Sequence, residues 1–457
     1  MRKKNQKQMP LMINSIDHPH SAELEGISQI LDANPIINRW VLQDLSRKVT
    51  HPDSGAEGMS AEQVIRAAII KQMEGYSYEE LAFHLLDSVC YRNFCRIGIA
   101  DKGFQKSTLC NNIRAISAKT WEAVNRILVA YGQDKEIEKG KESRIDCTVV
   151  SSNIHEPTDS SLLWDCVRVL TRILGRIRDG FDDIHISFSD HTLRAKRRML
   201  GVMNAKDGKT RKRHYQDLLT MTHKTLGDAR SAVCVLEGIP SKNAATLFRA
   251  AQEAERLKDL IRMTEQVIDQ TTRRIIRGES VPASEKIVSI FEPHTDIIVK
   301  DRRETFYGHK VCLSGGGSNL ITDCLILDGN PADTQLTDLM LDRHLEIYGH
   351  YPLKVALDGG FASKANLDSA KGKEIKDVCF AKKRGLEEEQ MCRSAWVYKR
   401  LRRFRAGIES GISWLKRCFG LDRCTWKSLP AFKSYVWASI VSANLITLVR
   451  QGVSTTS

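Results

Sequence analysis

The sequence predicts an α/β fold in which an all-helical N-terminal segment precedes a mixed sheet that carries a long helical insertion. Three observations lead to this prediction. Residues 24–131 show helical periodicity, and Ser60–Gln63 has the composition of a capping box before an apolar run. Residues 144–150 combine β-branched side chains with a single acid, which is typical of a strand. From residue 308 onward, short apolar runs alternate with helical patterns.

The order of the elements after the first strand narrows the prediction. Helical periodicity extends from Trp164 to about Arg277 and predicts a helical insertion over about residues 163–284. Strand character returns at Glu285–Val299, and two further strands then flank Gly315–Ser318, which has the composition of a hairpin loop. The order is strand, insertion, two-strand hairpin, helix, strand, helix, strand, helix, and it is consistent with a ribonuclease-H-like layout. We therefore expect a helical domain over residues 1–132 and a ribonuclease-H-like catalytic core over residues 144–450, which the insertion interrupts.

The N-terminal helices are open to two interpretations. They are short and joined by tight turns, which resembles the helix-turn-helix arrangement of DNA-binding domains. A helical packing or dimerisation domain fits the same pattern equally well, because no base-contacting geometry can be read from the sequence.

The composition indicates a basic protein of a reducing compartment. The 457 residues include 69 Lys and Arg against 56 Asp and Glu, which gives a formal charge of +13 and an isoelectric point near 9.1. An anionic polymer or surface is the natural partner of such a chain, although a basic enzyme without one can have the same balance. Twelve scattered cysteines, with no C-x-x-C pair and no signal peptide, indicate reduced cytosolic thiols rather than a zinc ribbon.

One long apolar run, from Tyr435 to Val449, bears on membrane attachment. Polar residues interrupt this run at four positions, and it is shorter than the roughly 20 residues that span a bilayer. We therefore expect a buried helix at this position and no membrane partner.

Three acidic residues from distant segments are candidate metal ligands and catalytic residues. Asp146 lies in the first strand, Asp358 ends a short apolar strand just before two glycines, and Glu409 lies on a basic helix. Ligand sites in open α/β sheets gather at the carboxyl ends of strands, so these acids can converge. Converging carboxylates suit two divalent cations, and hard oxygen ligands favour Mg²⁺ or Mn²⁺. Taken singly, each acid has an alternative interpretation as an ordinary strand, turn or ion-paired residue, and the set of three is more specific than any member.

The helix around Glu409 carries three cations on the same face, at Arg402, Arg405 and Lys416. All three are candidates for binding DNA, and Arg405 and Lys416 are candidates for holding a nucleic-acid phosphate beside the metal ions. The alternative is a solvated face on which Arg405 only forms an i, i+4 ion pair with Glu409.

A second basic cluster lies in the insertion. The four cations Arg194, Lys196, Arg197 and Arg198 occupy almost consecutive positions and predict a DNA-facing surface. A solvated helical hairpin is the alternative interpretation.

Several segments together resemble bacterial insertion-sequence transposases of the DDE class. The matching stretches are Asp146–Leu162 for the first-aspartate segment, Phe306–Val311 and Ile321–Leu327 for the central hairpin, Asn330–Gln335 and Leu357–Phe361 for the second-aspartate region, and residues 60–116 for the helical N-terminal domain. Arg405, Glu409 and Lys416 match the R-x3-E-x6-K part of the Y-R-E-K signature around the family glutamate. Arg402 stands where the family usually has its tyrosine.

The spacing of the three acids indicates where the insertion lies. The interval from Asp146 to Asp358 is 212 residues, whereas the interval from Asp358 to Glu409 is 51. The insertion therefore follows the first aspartate, unlike that of relatives in which an insertion precedes the glutamate.

The resemblance implies an enzyme that binds the terminal inverted repeats of its element, cleaves DNA strands and joins the freed 3′-OH ends to target DNA. It further implies that Asp146, Asp358 and Glu409 bind two Mg²⁺ or Mn²⁺ ions. The expected partners are double-stranded DNA, both element ends and target, and a second copy of the chain. The expected location is the bacterial cytoplasm, on the nucleoid when DNA is bound. A catalytically silent DNA-binding protein and a metal-dependent nuclease that does not join strands are the alternatives.

Overall fold

A computed structural model of the chain describes residues 3–4, 16–47, 58–98, 100–181, 185–239, 243–300 and 304–454. The chain divides into two compact units. The first combines Met1–Asn153 with His309–Ser457, and the second is Ile154–Gly308.

The N-terminal part of the first unit is helical. Its helices are α1 Pro19–Ala33, α2 Ile36–Ser46, α3 Ala61–Glu74, α4 Tyr78–Asp87, α5 Val89–Phe94, α6 Lys106–Ile113 and α7 Ala118–Asp134. The predicted capping box begins α3, where the side chains of Ser60 and Gln63 each accept a hydrogen bond from the other's backbone N–H. The helix ends at Gly75, whose φ of +68° is a left-handed conformation that glycine adopts without strain.

The strands form a mixed sheet. They are β1 Glu142–Ser151, β2 Asp296–Lys300, β3 Glu304–Gly315, β4 Ile321–Ile326, β5 Lys354–Leu357 and β6 Asp377–Phe380. Their order is β2-β3-β1-β5-β6, and β4 also pairs with β3. β3 is antiparallel to β2 and β4, whereas β5 is parallel to β1 and β6. This mixed sheet and its helices confirm the predicted ribonuclease-H-like α/β fold.

Four long helices make up most of the second unit. They are α8 Asp159–Gly180, α9 Thr192–Asn204, α10 Gly208–Glu237 and α11 Ala244–Thr271, after which the backbone continues as a π-helical turn, Thr272–Arg277. Apolar residues of all four pack into a core that belongs to this unit, with Leu163, Leu218 and Leu257 fully buried. Because each helix buries one stripe in that core, its period was visible in the sequence.

The remaining helices of the first unit surround the sheet. They are α12 Thr337–Tyr348, α13 Lys364–Gly372, α14 Glu388–Met391, α15 Ala395–Cys418 and α16 Leu429–Ser454. The helix α15 buries a stripe of apolar residues, in which Ile408, Ile412 and Leu415 follow Leu401 at steps of seven, four and three residues. This stripe fixes which face of α15 turns toward the sheet, and so positions the polar residues beside it.

The apolar run near the C-terminus forms α16. Within the described part of the chain, Leu429–Gly452 is the one helix long and apolar enough to cross a membrane, and 83% of its most apolar window is buried inside the protein. The side-chain amide of Asn444 donates to Oδ1 of Asn125 on α7 at 2.7 Å and accepts from the backbone N–H of Ile321 on β4 at 2.9 Å. These bonds link α16 to both neighbours, as expected of a core helix.

The N-terminal helices share one hydrophobic core with the β3–β4 hairpin, α15 and α16. A second core lies between the sheet and the helices α12 to α15. The second unit, at 154–308, is wider than the insertion expected at about 163–284. The domain limits expected at residues 132, 144 and 450 stay predictions.

Candidate active site

The register of the parallel strands places two of the predicted acids side by side. Ile145 of β1 lies beside Leu357 of β5, so the next residues along the two strands are Asp146 and Asp358. Leu357 is also paired with Phe380, the last residue of β6, which places Asp358 at the carboxyl edge of the parallel strands. Ligand sites of open α/β sheets form at this edge.

Two glycines after Asp358 let other segments approach it closely. A Cβ atom on Gly359 would lie 2.8 Å from the side chain of Lys382, and one on Gly360 would overlap the carboxylate of Asp333. Asp358 also caps this turn, because its Oδ2 accepts from the backbone N–H of Gly360 at 3.4 Å. The turn role foreseen as an alternative is therefore present, and it leaves Oδ1 available for another contact.

The helix α15 brings Arg405 among all three predicted acids. Its Nη2 lies 2.8 Å from Oε1 of Glu409, and its Nη1 lies 3.3 Å from Oδ1 of Asp358 and 3.6 Å from Oδ2 of Asp146. The i, i+4 ion pair between Arg405 and Glu409 is thus formed, but as one contact of a three-carboxylate cluster. Three acids from distant segments converge on one guanidinium.

The cluster carries more negative charge than Arg405 neutralises. Burial raises the pKa of Asp146 to about 6, and the neighbouring Asp358 carboxylate adds to the rise, while the backbone N–H of Cys147 and the Arg405 guanidinium oppose it. Burial lowers the pKa of Arg405, but Glu409 and the two aspartates outweigh burial and raise it overall. Three carboxylates against one guanidinium therefore attract further cations.

The donor set fits hard divalent cations, although its present arrangement does not form a ligand cage. Among the residues that the structure describes, no group of three His, Cys, Asp or Glu side chains is arranged to hold a metal ion. The reason is visible in the geometry, since Arg405 fills the space on which the carboxylates converge. Carboxylate oxygens and excess negative charge suit Mg²⁺ or Mn²⁺, provided that Arg405 moves aside.

We expect Asp146→Asn to raise the melting temperature of the metal-free protein at about pH 7.5. A carboxyl whose folded-state pKa is raised to about 6 opposes folding once it ionises, so the opposition is complete above that pH and fades toward about pH 4. The amide does not ionise, so the substitution is expected to raise the free energy of unfolding at this pH by at most about 3 kcal/mol. Thermal unfolding in a chelator across this pH range tests the expectation, with exposed Asp368→Asn on α13 as the control. Equal melting temperatures at about pH 7.5 would contradict it.

The other predicted cations of α15 have different surroundings. Lys416 lies 3.6 Å from Oδ1 of Asp422, an exposed carboxylate, rather than beside Glu409. The backbone carbonyl of Asp422 accepts from the N–H of Ser151, which places this pair at the end of β1. Arg402 is exposed one turn before Arg405.

The four predicted cations of the insertion lie on α9 in the second unit. Arg194, Lys196 and Arg197 are exposed. Arg198 is partly covered, and its Nε lies 3.1 Å from Oδ2 of Asp217 on α10. Three of these four side chains are thus directed into solvent, where they can contact a partner.

Sequence reasoning missed residues that support the site. Lys310 of β3 lies 2.5 Å from Oδ1 of Asp333 and donates to the carbonyl of Pro331, which fixes the segment packed against Gly360. It also missed Arg144, although its position two residues before Asp146 puts both side chains on one face of the strand.

Two family models match the chain. Residues 297–445 match the model described as "Transposase DDE domain", and residues 14–115 match the model described as "Transposase domain (DUF772)". The chain belongs to the insertion-sequence transposases of the DDE type. No curated protein and no solved structure matches it significantly.

The matches confirm the family that the sequence motifs indicated, and because transposases act on DNA they support DNA as a partner of this chain. The matched DDE segment contains Asp358, Arg405 and Glu409 but begins after Asp146, because the second unit separates the first aspartate from the rest. DDE transposases generally use divalent metal ions. The roles of the individual site residues stay predictions.

Proposed function

We propose that the transposase binds the terminal inverted repeats of its own element, cleaves DNA strands there and joins the 3′-OH ends to target DNA. The observation that best supports this proposal is the convergence of Asp146, Asp358 and Glu409 on Arg405 at the carboxyl edge of the sheet. Only the contact between Arg405 and Glu409 is an ordinary pair within one helix, because Asp146 and Asp358 come from distant segments of the chain.

Each residue has a defined part in the proposal. Asp146, Asp358 and Glu409 would hold two Mg²⁺ or Mn²⁺ ions, which would supply activation of the attacking oxygen and stabilisation of the leaving 3′ oxygen. Arg405, once released from the carboxylates, has the forked guanidinium that binds a phosphate through two hydrogen bonds. Lys416 adds a second cation farther along α15.

The proposed partners follow from this chemistry. They are double-stranded DNA, as element end and as target, and a second copy of the chain on that DNA. The helical region matched to the second transposase model would contribute to end binding. The protein would act in the bacterial cytoplasm, on the nucleoid.

An in vitro strand-transfer assay tests the proposal. It combines the full-length protein, Mg²⁺, duplexes that end in candidate inverted repeats and a supercoiled target plasmid. We expect nicks at the repeat ends and covalent products that join those ends to the plasmid, and neither with a chelator. Cleavage without joined products would favour the nuclease, and binding without cleavage would favour the silent DNA-binding protein.

We expect neutralisation of the exposed cations on α9 to flatten the salt dependence of DNA binding. Every DNA phosphate that is no longer neutralised by a cation lowers the slope of log K against log salt by about 0.9, so the triple change of Arg194, Lys196 and Arg197 to Gln is expected to lower it by up to about 2.7. Fluorescence anisotropy with end DNA between about 50 and 200 mM salt measures the slope.

A matched control for this prediction lies on the same helix. Arg198→Gln also removes one charge, but its side chain already pairs with Asp217, so we expect a slope close to that of the wild type. If the triple variant also keeps the wild-type slope, α9 does not contact DNA, and its charges are only solvated.

A further inference from the structure

One arginine of β1 crosses from the sheet to the helix that carries Glu409. Arg144 is buried, and its Nη1 donates to the backbone carbonyl of Phe404 on α15 at 3.1 Å. Its Nη2 donates to Oδ1 of Asn319, in the hairpin turn, at 2.6 Å. Its guanidinium carbon also lies 4.9 Å from the centre of the Phe404 ring. The side chain thus ties β1, the turn and α15 together.

The helix accepts this guanidinium only because residue 407 has no side chain. A Cβ atom on Gly407 would overlap Nη1 of Arg144. Glycine inside a helix is less favourable than alanine at the same position, so its presence here needs a reason. The close approach of Arg144 supplies that reason, because no other residue leaves space for a guanidinium against the helix backbone.

The contact lies on the flank of α15 opposite to the acidic cluster. Gly407 is two residues, or about 200° around the helix axis, from both Arg405 and Glu409. The buried stripe of Ile408 and Leu415 separates the two flanks. On β1, Arg144 and Asp146 are also two residues apart, but in a strand this spacing puts both side chains on the same face. The helix is therefore held against β1 from both sides, by Arg144 on one flank and by the Arg405 cluster on the other.

We infer that Arg144 and Gly407 set the rotation of α15 against β1, and so hold Glu409 within reach of Asp146 and Asp358. Arg144 is then a positioning residue, since it touches α15 and the hairpin rather than the reacting atoms. The inference rests on the proposed function, because it concerns how tightly Asp146, Asp358 and Glu409 together bind metal ions. A Cβ at residue 407 would push this flank of the helix away from Arg144 and displace Glu409 from the aspartates.

Gly407→Ala in the full-length protein tests the inference, and Gly411→Ala is its matched control. Gly411 lies one turn farther along the same flank, where a Cβ would meet only Cδ1 of Ile321 at an ordinary 3.7 Å. The readout is the Mn²⁺ concentration that gives half of the metal-induced rise in melting temperature, which needs no DNA. We expect Gly407→Ala to require on the order of ten times more Mn²⁺ than the wild type, and Gly411→Ala to match the wild type.

The double variant Gly407→Ala/Arg144→Ala distinguishes a clash with Arg144 from a non-specific disturbance of α15. If the clash with Arg144 is the cause, adding Gly407→Ala to Arg144→Ala changes the Mn²⁺ requirement little, so the two effects are non-additive. Should Gly407→Ala fail to fold, Arg144→Ala alone is expected to weaken Mn²⁺ binding, with Arg144→Lys between it and the wild type because lysine cannot make both hydrogen bonds.

Two outcomes would overturn the inference while the proposed function stands. One is a Gly407→Ala protein that binds Mn²⁺ as well as Gly411→Ala does, and the other is a full Gly407→Ala effect in the Arg144→Ala background. Failure of the proposed function is visible elsewhere, because the wild type and Gly411→Ala would then show no Mn²⁺-induced stabilisation, and the inference would fall with it.

Discussion

Replacing any of the three converging acids by its amide is expected to reduce cleavage of element-end DNA by on the order of 10³-fold, which corresponds to about 4 kcal/mol of transition-state stabilisation. Asp146→Asn, Asp358→Asn and Glu409→Gln keep the shape of each side chain but remove the charge that holds a hard cation. End binding is expected to persist, because the exposed cations and the N-terminal helices are unchanged.

The measurement compares cleavage and end binding of each variant under the same Mg²⁺ concentration. Asp368→Asn is a suitable control, since this aspartate lies exposed on α13 in a surface ion pair with Lys364. A variant that cleaves at a near wild-type rate identifies an acid that is not a metal ligand. Loss of end binding together with cleavage would instead indicate a folding defect.

The second large effect is expected from Arg405→Ala. Without its guanidinium, three carboxylates face one another with no cation among the described side chains that contacts all three. We expect a lower melting temperature without metal, a deficit that Mn²⁺ reduces, and cleavage slowed by on the order of 10²-fold through a misplaced phosphate. Arg405→Lys is expected to recover only part of the rate, because lysine cannot make a bidentate contact.

Cleavage assays and metal-free melting curves, run in parallel, distinguish the two interpretations of Arg405. An arginine that only pairs with Glu409 would contribute a few tenths of a kcal/mol to stability, about 0.3–0.5, and its removal would leave cleavage normal. Lys416→Ala is the comparison on the same helix. Its partner Asp422 is exposed and lies outside the cluster, so we expect no Mn²⁺-dependent recovery of stability.

The sequence by itself determined the fold class and the positions of the three acids along the chain. Each strand or helix buries one face, so its apolar residues repeat at the period of that element. This pattern depends only on nearby residues, and the element order from β1 to α15 could therefore be predicted. The capping box of α3 and the hairpin loop depend only on neighbouring residues, and both were predicted.

Only the tertiary structure decided how distant segments share contacts. The ion pair between Arg405 and Glu409 is local and was foreseen, whereas the contacts of Arg405 with Asp146 and Asp358 depend on sheet register and on the seating of α15.

The same distinction explains Gly407 and the N-terminal helices. In the sequence Gly407 is one glycine in a helical pattern. The structure explains why a glycine is needed there, because the guanidinium of Arg144, from a strand far away in the chain, occupies the place of a Cβ atom. The packing of the N-terminal helices with α16 in one core is likewise set by side chains that meet only after folding. The spacing of apolar residues along a helix or strand shows which face of that element is buried, but it carries no information about which distant segment covers the face.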